Sequence, residues 1–181
     1  DRTERLFSAR QRVLTICRHC KTVHTNATIP DIAINLFAVK YAPTPEAFAA
    51  ALLCRTEPVT DYKCGTCARS DRIVQVHSLV RIPTVLVVTF NIYRNRTKNY
   101  FPLAFEILAN TELAPGAAMR FRLVAQVEHG GSLAGGHYWA RVLRRGEVVL
   151  ANDTGITPAA FGPSPQTYML FYHFDRIVPA V

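Results

Sequence analysis

No run of apolar residues in this 181-residue chain is as long as the about 18 to 20 positions that a membrane-spanning helix requires, which excludes a helical membrane protein. No charged-apolar-small leader opens the chain either. The expectation is a soluble protein with no membrane partner, intracellular, and in the cytoplasm or nucleus rather than an organelle. The chain begins at Asp1 without a methionine, which points to a fragment, a processed product or a trimmed chain. Internal repeats, heptads and low-complexity tracts are also missing, so solenoids and coiled coils are set aside. Acidic residues are scarce. Thirteen Asp and Glu stand against 21 Lys and Arg, a net charge of +8. That balance favours acidic partners such as nucleic acid, a ribosome or an anionic membrane face, although the basic residues are scattered rather than gathered into one block.

What is present is apolar sequence enough for a core: 49% of the residues are hydrophobic, consistent with one globular domain or a large part of one. Four of the five cysteines fall in two Cys-x-x-Cys pairs, Cys17 with Cys20 and Cys64 with Cys67. Each pair can place two thiolates on one metal through a tight knuckle, and two knuckles complete a tetrahedral zinc site. Two redox dithiols or a pair of disulfides are the alternatives. Neither a secretory leader nor a thioredoxin-like βαβ context supports them, and zinc is the expectation. Cys54 ends an alanine-rich segment and reads as a small buried core residue.

Along the chain, residues Arg5 to Ile16 read as an extended segment delivering the first knuckle; Arg5 to Arg12 could form a helix, but the β-branched run into Cys17 argues against extending it. Lys21 to Thr28 is the polar tip of a projecting hairpin, and Ile32 to Val39 is a strand. Thr44-Pro45-Glu46 is a helix start, a capping hydroxyl followed by proline at the first helical position, with Phe48, Leu52 and Leu53 facing inward through Cys54. Arg72 to Val80 alternates as a half-exposed strand. Val85 to Phe90 is apolar on both faces, as a central strand requires. Arg94 to Lys98 is a basic turn, Leu103 to Leu108 a strand, Glu112 to Ala118 a loop, Phe121 to His129 an alternating strand, and Tyr168 to Tyr172 a buried one.

The chemistry-bearing stretch runs from His129 to Asp153. His137 precedes a strand from Tyr138 to Leu143; the turn from Arg144 to Gly146 follows, and then a second apolar strand ending in Asn152-Asp153. Such a hairpin returns a side-chain amide to the imidazole, the arrangement of a general base with its orienter, for which a nucleophile is the third member. Gly135 and Gly136 leave the backbone before His137 free of side chains, which suits a narrow channel. Taken alone, Gly-Gly-His-Tyr is most simply a turn with a half-buried histidine.

In their order, these pieces resemble the palm and fingers of the ubiquitin-specific protease family of deubiquitinating cysteine peptidases. Leu6-Phe7 and Ile16-Cys17-Arg18-His19-Cys20 are similar to the family's entry to the first knuckle, and Asp31 to Leu36 to the strand that follows. Glu57 with Tyr62-Lys63-Cys64-Gly65-Thr66-Cys67 resembles the second knuckle, and Ile82 to Val88 the central strand. Phe121 through His129-Gly130-Gly131, then Gly136-His137-Tyr138, Asn152-Asp153 and Tyr168 to Tyr172 match the histidine box and its surroundings. The resemblance covers nearly the whole chain. It implies an α+β fold in which a β-rich, papain-like cysteine peptidase palm carries zinc-ribbon fingers and the thumb subdomain is absent. This would be one domain over residues 1–181, with fingers over 5–80 and palm over 81–181.

The resemblance further implies His137 as general base, Asn152 as its orienter, and Asp153 as a polar neighbour that shares that role or helps position the oxyanion. Gly135, Gly136 and Tyr138 would flank the channel for the diglycine tail of ubiquitin. Structural Zn2+ on Cys17, Cys20, Cys64 and Cys67 and a ubiquitin or ubiquitin-like partner are implied as well. The sequence departs from the family at Phe121, where tyrosine is usual, at Val148, where tryptophan is, and at Ala151, where an aromatic often precedes the acidic pair. The family's cysteine box lies on the thumb, N-terminal to the fingers, and Cys54, between the knuckles, lacks such a box. The expected function is therefore the palm and fingers of a deubiquitinase, lacking the nucleophilic cysteine by itself, whose thumb sits on another chain or was removed. The alternative is a pseudoprotease that binds ubiquitin or serves assembly of a larger complex, such as a ribonucleoprotein. A zinc-ribbon nucleic-acid binder, resting on Arg18, His19, Lys21, Lys63, Arg69 and Arg72, stands behind both, since charged fingertips are more often simply solvated.

Overall fold

Two β-sheets carry nearly all the regular structure, and the way they divide the chain decides where the candidate site falls. The computed structural model describes residues 2–35, 44–92, 100–108, 116–132 and 134–179. The elements are α1 (Arg2–Phe7), β1 (Ala9–Cys17), β2 (Val23–Asp31), β3 (Ala33–Asn35), α2 (Pro45–Leu53), β4 (Cys54–Pro58), β5 (Ile73–Arg81), β6 (Val85–Thr89) and β7 (Ala104–Leu108). They continue as β8 (Ala117–Ser132), β9 (Gly135–Arg144), β10 (Glu147–Asn152), β11 (Gly155–Pro158) and β12 (Thr167–Pro179). A four-stranded sheet has the order β2-β1-β5-β4. An eight-stranded sheet runs β11-β10-β9-β8-β12-β6-β3, with β7 paired to β8 off that path. The fold is mostly sheet. No helix among the described residues is long and apolar enough to cross a membrane.

In the four-stranded sheet β1 alternates strictly, burying Ala9, Gln11, Val13, Thr15 and Cys17 on one face. That alternation delivers Cys17, fully buried, to the end where the second knuckle arrives. In the larger sheet Leu86, Val87 and Val88 of β6 are all buried between β12 and the parallel β3, which accounts for a run that is apolar on both faces. Helix α2 packs on this sheet through Phe48, whose ring lies 5.2 Å from Phe105 and 5.6 Å from Tyr172. Its start is set locally: the Thr44 hydroxyl accepts the Ala47 N–H at 3.2 Å, and Pro45 occupies the first turn. Tyr172, fully buried, donates its hydroxyl to the Pro102 carbonyl at 2.8 Å, so its polar atom is not left unpaired in the core.

Several boundaries differ from the sequence expectation. The segment before the first knuckle is not extended throughout; α1 occupies Arg2–Phe7 and closes with Ser8 N–H on the Glu4 carbonyl at 2.9 Å. The hairpin tip lies at residues 18–22 rather than Lys21 to Thr28, held by Cys17 N–H on Thr22 O and by Lys21 at φ 64°. Most of the polar stretch is instead β2, an edge strand exposed along both faces and therefore without an apolar period. The α2 helix ends at Leu53. Cys54 opens β4 and is exposed, not buried, because the switch from helix to strand turns its sulfur outward to within 3.7 Å of the Ser78 hydroxyl. Of the strand expected over Ile32 to Val39, Ile32 lies just before β3 (Ala33–Asn35) and residues 36–39 lie outside the described residues, as does the basic turn Arg94 to Lys98. Ala117 and Ala118, read as loop, begin β8, while β12 runs on to Pro179.

Candidate active site and metal cluster

His137 lies early in β9, paired across to Gly130 of β8, and Asn152 closes β10. The two strands meet through a two-residue turn in which Arg145 and Gly146 both have positive φ, 52° and 90°. That geometry matches the strand twist and pins the register. The pairing of Leu150 with Arg141 and Ala151 with Ala140, continued one step, brings Asn152 level with Trp139, on the face that His137 occupies. The result is a short contact: His137 Nε2 lies 2.5 Å from Asn152 Oδ1. An amide oxygen can only accept, so Nε2 carries the proton and Nδ1 is left with its lone pair as the ring's basic nitrogen. Asp153, at φ 51° in the β10–β11 turn, adds a carboxylate oxygen 3.7 Å from Nε2. Both side chains are open to solvent, 49% for His137 and 78% for Asp153, so the base is reachable from outside.

The other residues expected near the base divide between two faces. Gly135 shares the side of His137, and an added Cβ there would meet nothing. Gly136 and Tyr138 belong to the opposite face. A Cβ on Gly136 would collide with the His129 ring and the Gly130 carbonyl, and the Tyr138 ring lies 4.3 Å from that of His129 and 5.9 Å from Tyr168. Sequence reasoning missed the groups that flank His137 on its own face. Trp139 stands beside it with ring centroids 6.0 Å apart and planes 27° from parallel. The indole N–H donates to the Glu128 carboxylate at 2.8 Å, and Glu128, almost fully buried, also accepts from Arg141 Nε at 2.9 Å. Trp139 and Arg141 follow His137 at the strand period, but nothing in the sequence pairs them with Glu128.

At the far end of the four-stranded sheet the two knuckles meet. The sulfurs of Cys17, Cys20, Cys64 and Cys67 all lie within 4.8 Å of one another. Cys17 and Cys67 are 3.7 Å apart, and Cys20 and Cys64 are 3.5 Å apart. Tetrahedral Zn2+ with bonds of about 2.3 Å sets its sulfurs about 3.8 Å apart, so the cluster fits that ion. The electrostatics ask for a cation. Burial opposes charge on Cys64, but the N–H groups of Cys67 and Thr66 outweigh it and bring that thiol down to about 5. At Cys67 the N–H of Arg69 pulls the same way, yet burial and the neighbouring sulfurs drive the thiol up to about 12. One thiolate thus suppresses the next, and a divalent ion at the centre removes the repulsion. His24 Nε2 lies 3.2 Å from Cys64 Sγ, while Thr22 Oγ1 lies 3.2 Å from Cys20 Sγ. Arg18, His19, Lys21, Lys63, Arg69 and Arg72 are exposed around these knuckles, with Arg69 paired to Asp71 at 3.1 Å.

The domain is mostly sheet, with an imidazole–amide pair on one sheet and four convergent cysteines on the other. The description of the ubiquitin carboxyl-terminal hydrolases matches residues 2–172, and the chain belongs to that family. No curated protein matches the sequence. Among solved structures it is similar to a chain of a yeast SAGA DUB module with an Sgf73 variant, at 18% identity and a TM-score of 0.69. It is also similar to one in the SAGA Ubp8/Sgf11/Sus1/Sgf73 DUB module bound to ubiquitin aldehyde, at 17% identity and a TM-score of 0.64. In both, 96% of this chain is covered, and it spans 42% of the length of the chain it matches.

Proposed function

We propose that this chain is the palm-and-fingers part of a thiol-dependent deubiquitinase, cleaving the bond after the carboxyl-terminal glycine of ubiquitin or a ubiquitin-like protein. The observation that carries the reading is the 2.5 Å contact from His137 Nε2 to Asn152 Oδ1, which presents Nδ1 as a free base. In that role Nδ1 takes the proton of a cysteine thiol, and the thiolate attacks the glycine carbonyl carbon. The imidazolium then returns the proton to the departing amine, and water, deprotonated by the same nitrogen, releases the acyl group. Asn152 holds one tautomer through both halves, with the Asp153 carboxylate beside the same nitrogen. Zn2+ on the four cysteines is structural, tying the two knuckles of the smaller sheet together, and the protein works in the cytoplasm or nucleus.

The nucleophile comes from a thumb segment other than these residues. Four cysteines converge on the metal cluster, and Cys54 lies on β4 of the smaller sheet beside Ser78. The same observation favours a second reading, a pseudoprotease that holds ubiquitin or a place in a larger assembly. The similar modules contain Sgf11, Sus1 and Sgf73 alongside Ubp8, which supports membership of a complex in either case. A ubiquitin probe with an electrophilic carboxyl terminus separates the readings. The chain alone is expected to stay unlabelled, with Cys54→Ala making no difference, and addition of a thumb-bearing chain is expected to produce a His137-dependent adduct on the thumb cysteine. Absence of that adduct, with ubiquitin still bound, selects the pseudoprotease.

A further inference from the structure

The contact with Asn152 fixes one nitrogen of the His137 ring but leaves the ring plane free to swing about that point, and a half-exposed imidazole has little else to restrain it. We propose that Trp139 is a positioning residue for the His137 imidazole, and that the buried Glu128 carboxylate sets Trp139 in place. This rests on His137 being the base of the proposed reaction.

Three features of the β8–β9 pair converge on the arrangement. Trp139 pairs directly with Glu128, and its indole N–H donates to Glu128 Oε2 at 2.8 Å, which fixes the rotamer of a ring otherwise free at its outer end. Gly130 stands opposite His137, and a Cβ there would come within 3.1 Å of the indole, so the absence of a side chain makes the space in which the ring lies. The ring then covers the neighbouring imidazole nearly parallel, 6.0 Å away at 27°. A buried carboxylate is retained only where charge-assisted donors satisfy it. Arg141 supplies the second, at 2.9 Å, and is itself held by the Ala160 carbonyl at 2.7 Å. The anchor is therefore fixed at two points outside the hairpin turn.

The test is long-range 1H–15N NMR of the labelled chain, which reads the tautomer of the neutral His137 ring and the ring-current shift of its protons. The native chain should show a single Nε2–H tautomer with shifted ring protons. Trp139→Leu should move the tautomer ratio about two- to tenfold toward Nδ1–H. Glu128→Leu, which keeps the indole, should abolish the ring-current shift, and Glu128→Gln, which keeps an acceptor for it, should restore the native spectrum. Should Glu128→Leu fail to fold, Trp139→Phe decides, because it keeps an aromatic ring but has no N–H with which to anchor it; a mixed tautomer supports the inference. A native tautomer in Trp139→Leu or Trp139→Phe, or a native ring-current shift in Glu128→Leu, overturns it. All of this is read without substrate or nucleophile, so a chain that never joins an active enzyme leaves the positioning result standing, and a failed positioning test leaves the base and its orienter as they were.

Discussion

At the scale of single residues, the chemistry turns on which atoms are already committed. Asn152 uses its oxygen on His137 Nε2, so its contribution is to tautomer and direction rather than to binding. In the thiol-bearing enzyme Asn152→Ala should lower kcat by about 10² to 10⁴ with little change in KM, measured on a fluorogenic amide of the ubiquitin carboxyl terminus. An unchanged kcat would remove Asn152 from the mechanism. Glu128 is committed twice, to Trp139 and to Arg141, and truncation leaves the indole N–H without its acceptor and removes one partner of Arg141. Glu128→Ala should destabilise the fold by about 1 to 3 kcal/mol in urea unfolding. A loss within the range of ordinary surface substitutions would mean that water replaces the carboxylate at no cost.

At the scale of elements, the approach of β8 to β9 depends on positions where no side chain fits. Gly136→Ala would drive a methyl into the His129 ring and the Gly130 carbonyl, so the pair must splay at the level of His137. Loss of the His137–Asn152 contact, together with faster amide exchange across β8–β9, is the expected outcome. In the smaller sheet, chelation or Cys64→Ser should free the metal and accelerate exchange in the two knuckles while the eight-stranded sheet keeps its protection; elemental analysis finding no zinc in the purified chain would overturn this. The elements also show what was legible beforehand. The start of α2 was readable because Thr44, Pro45 and Glu46 carry the signal within one turn, and β6 because burial on both faces leaves an unbroken apolar run. The proximity of His137 and Asn152 followed from a short hairpin. The edge strands β2 and β11 were not readable, since solvent on both sides erases the alternation that marks a strand, and neither was β4, whose inward-facing residues Arg55 and Glu57 are charged. Nor was the Glu128–Trp139–Arg141 cluster, whose members meet only through the β8–β9 register.

At the scale of the whole molecule, burial pushes the Tyr172 phenol well above its ordinary range. The unfolded chain releases this proton near pH 10 while the folded one retains it, so the contribution is fully present below about pH 10 and is lost as pH rises toward the folded value. Stability should therefore fall on the alkaline side. Tyr172→Phe should flatten that limb while costing about 1 kcal/mol or more at neutral pH, because the Pro102 carbonyl loses its donor; an alkaline limb unchanged in Tyr172→Phe would assign it to other groups.

The order of the larger sheet carries one more consequence, for the time at which it can form. Strand β12 sits in the middle, between β8 and β6, yet leaves the ribosome after both of them. Until residues 167–179 emerge, the growing polypeptide holds two half-sheets, each displaying a row of unpaired N–H and C=O groups along the edge destined for β12. Such edges accept any extended neighbour, including another nascent copy. A translation product stopped short of Thr167 would keep both edges open for good, and its fate would be aggregation or capture by a chaperone rather than a smaller folded domain.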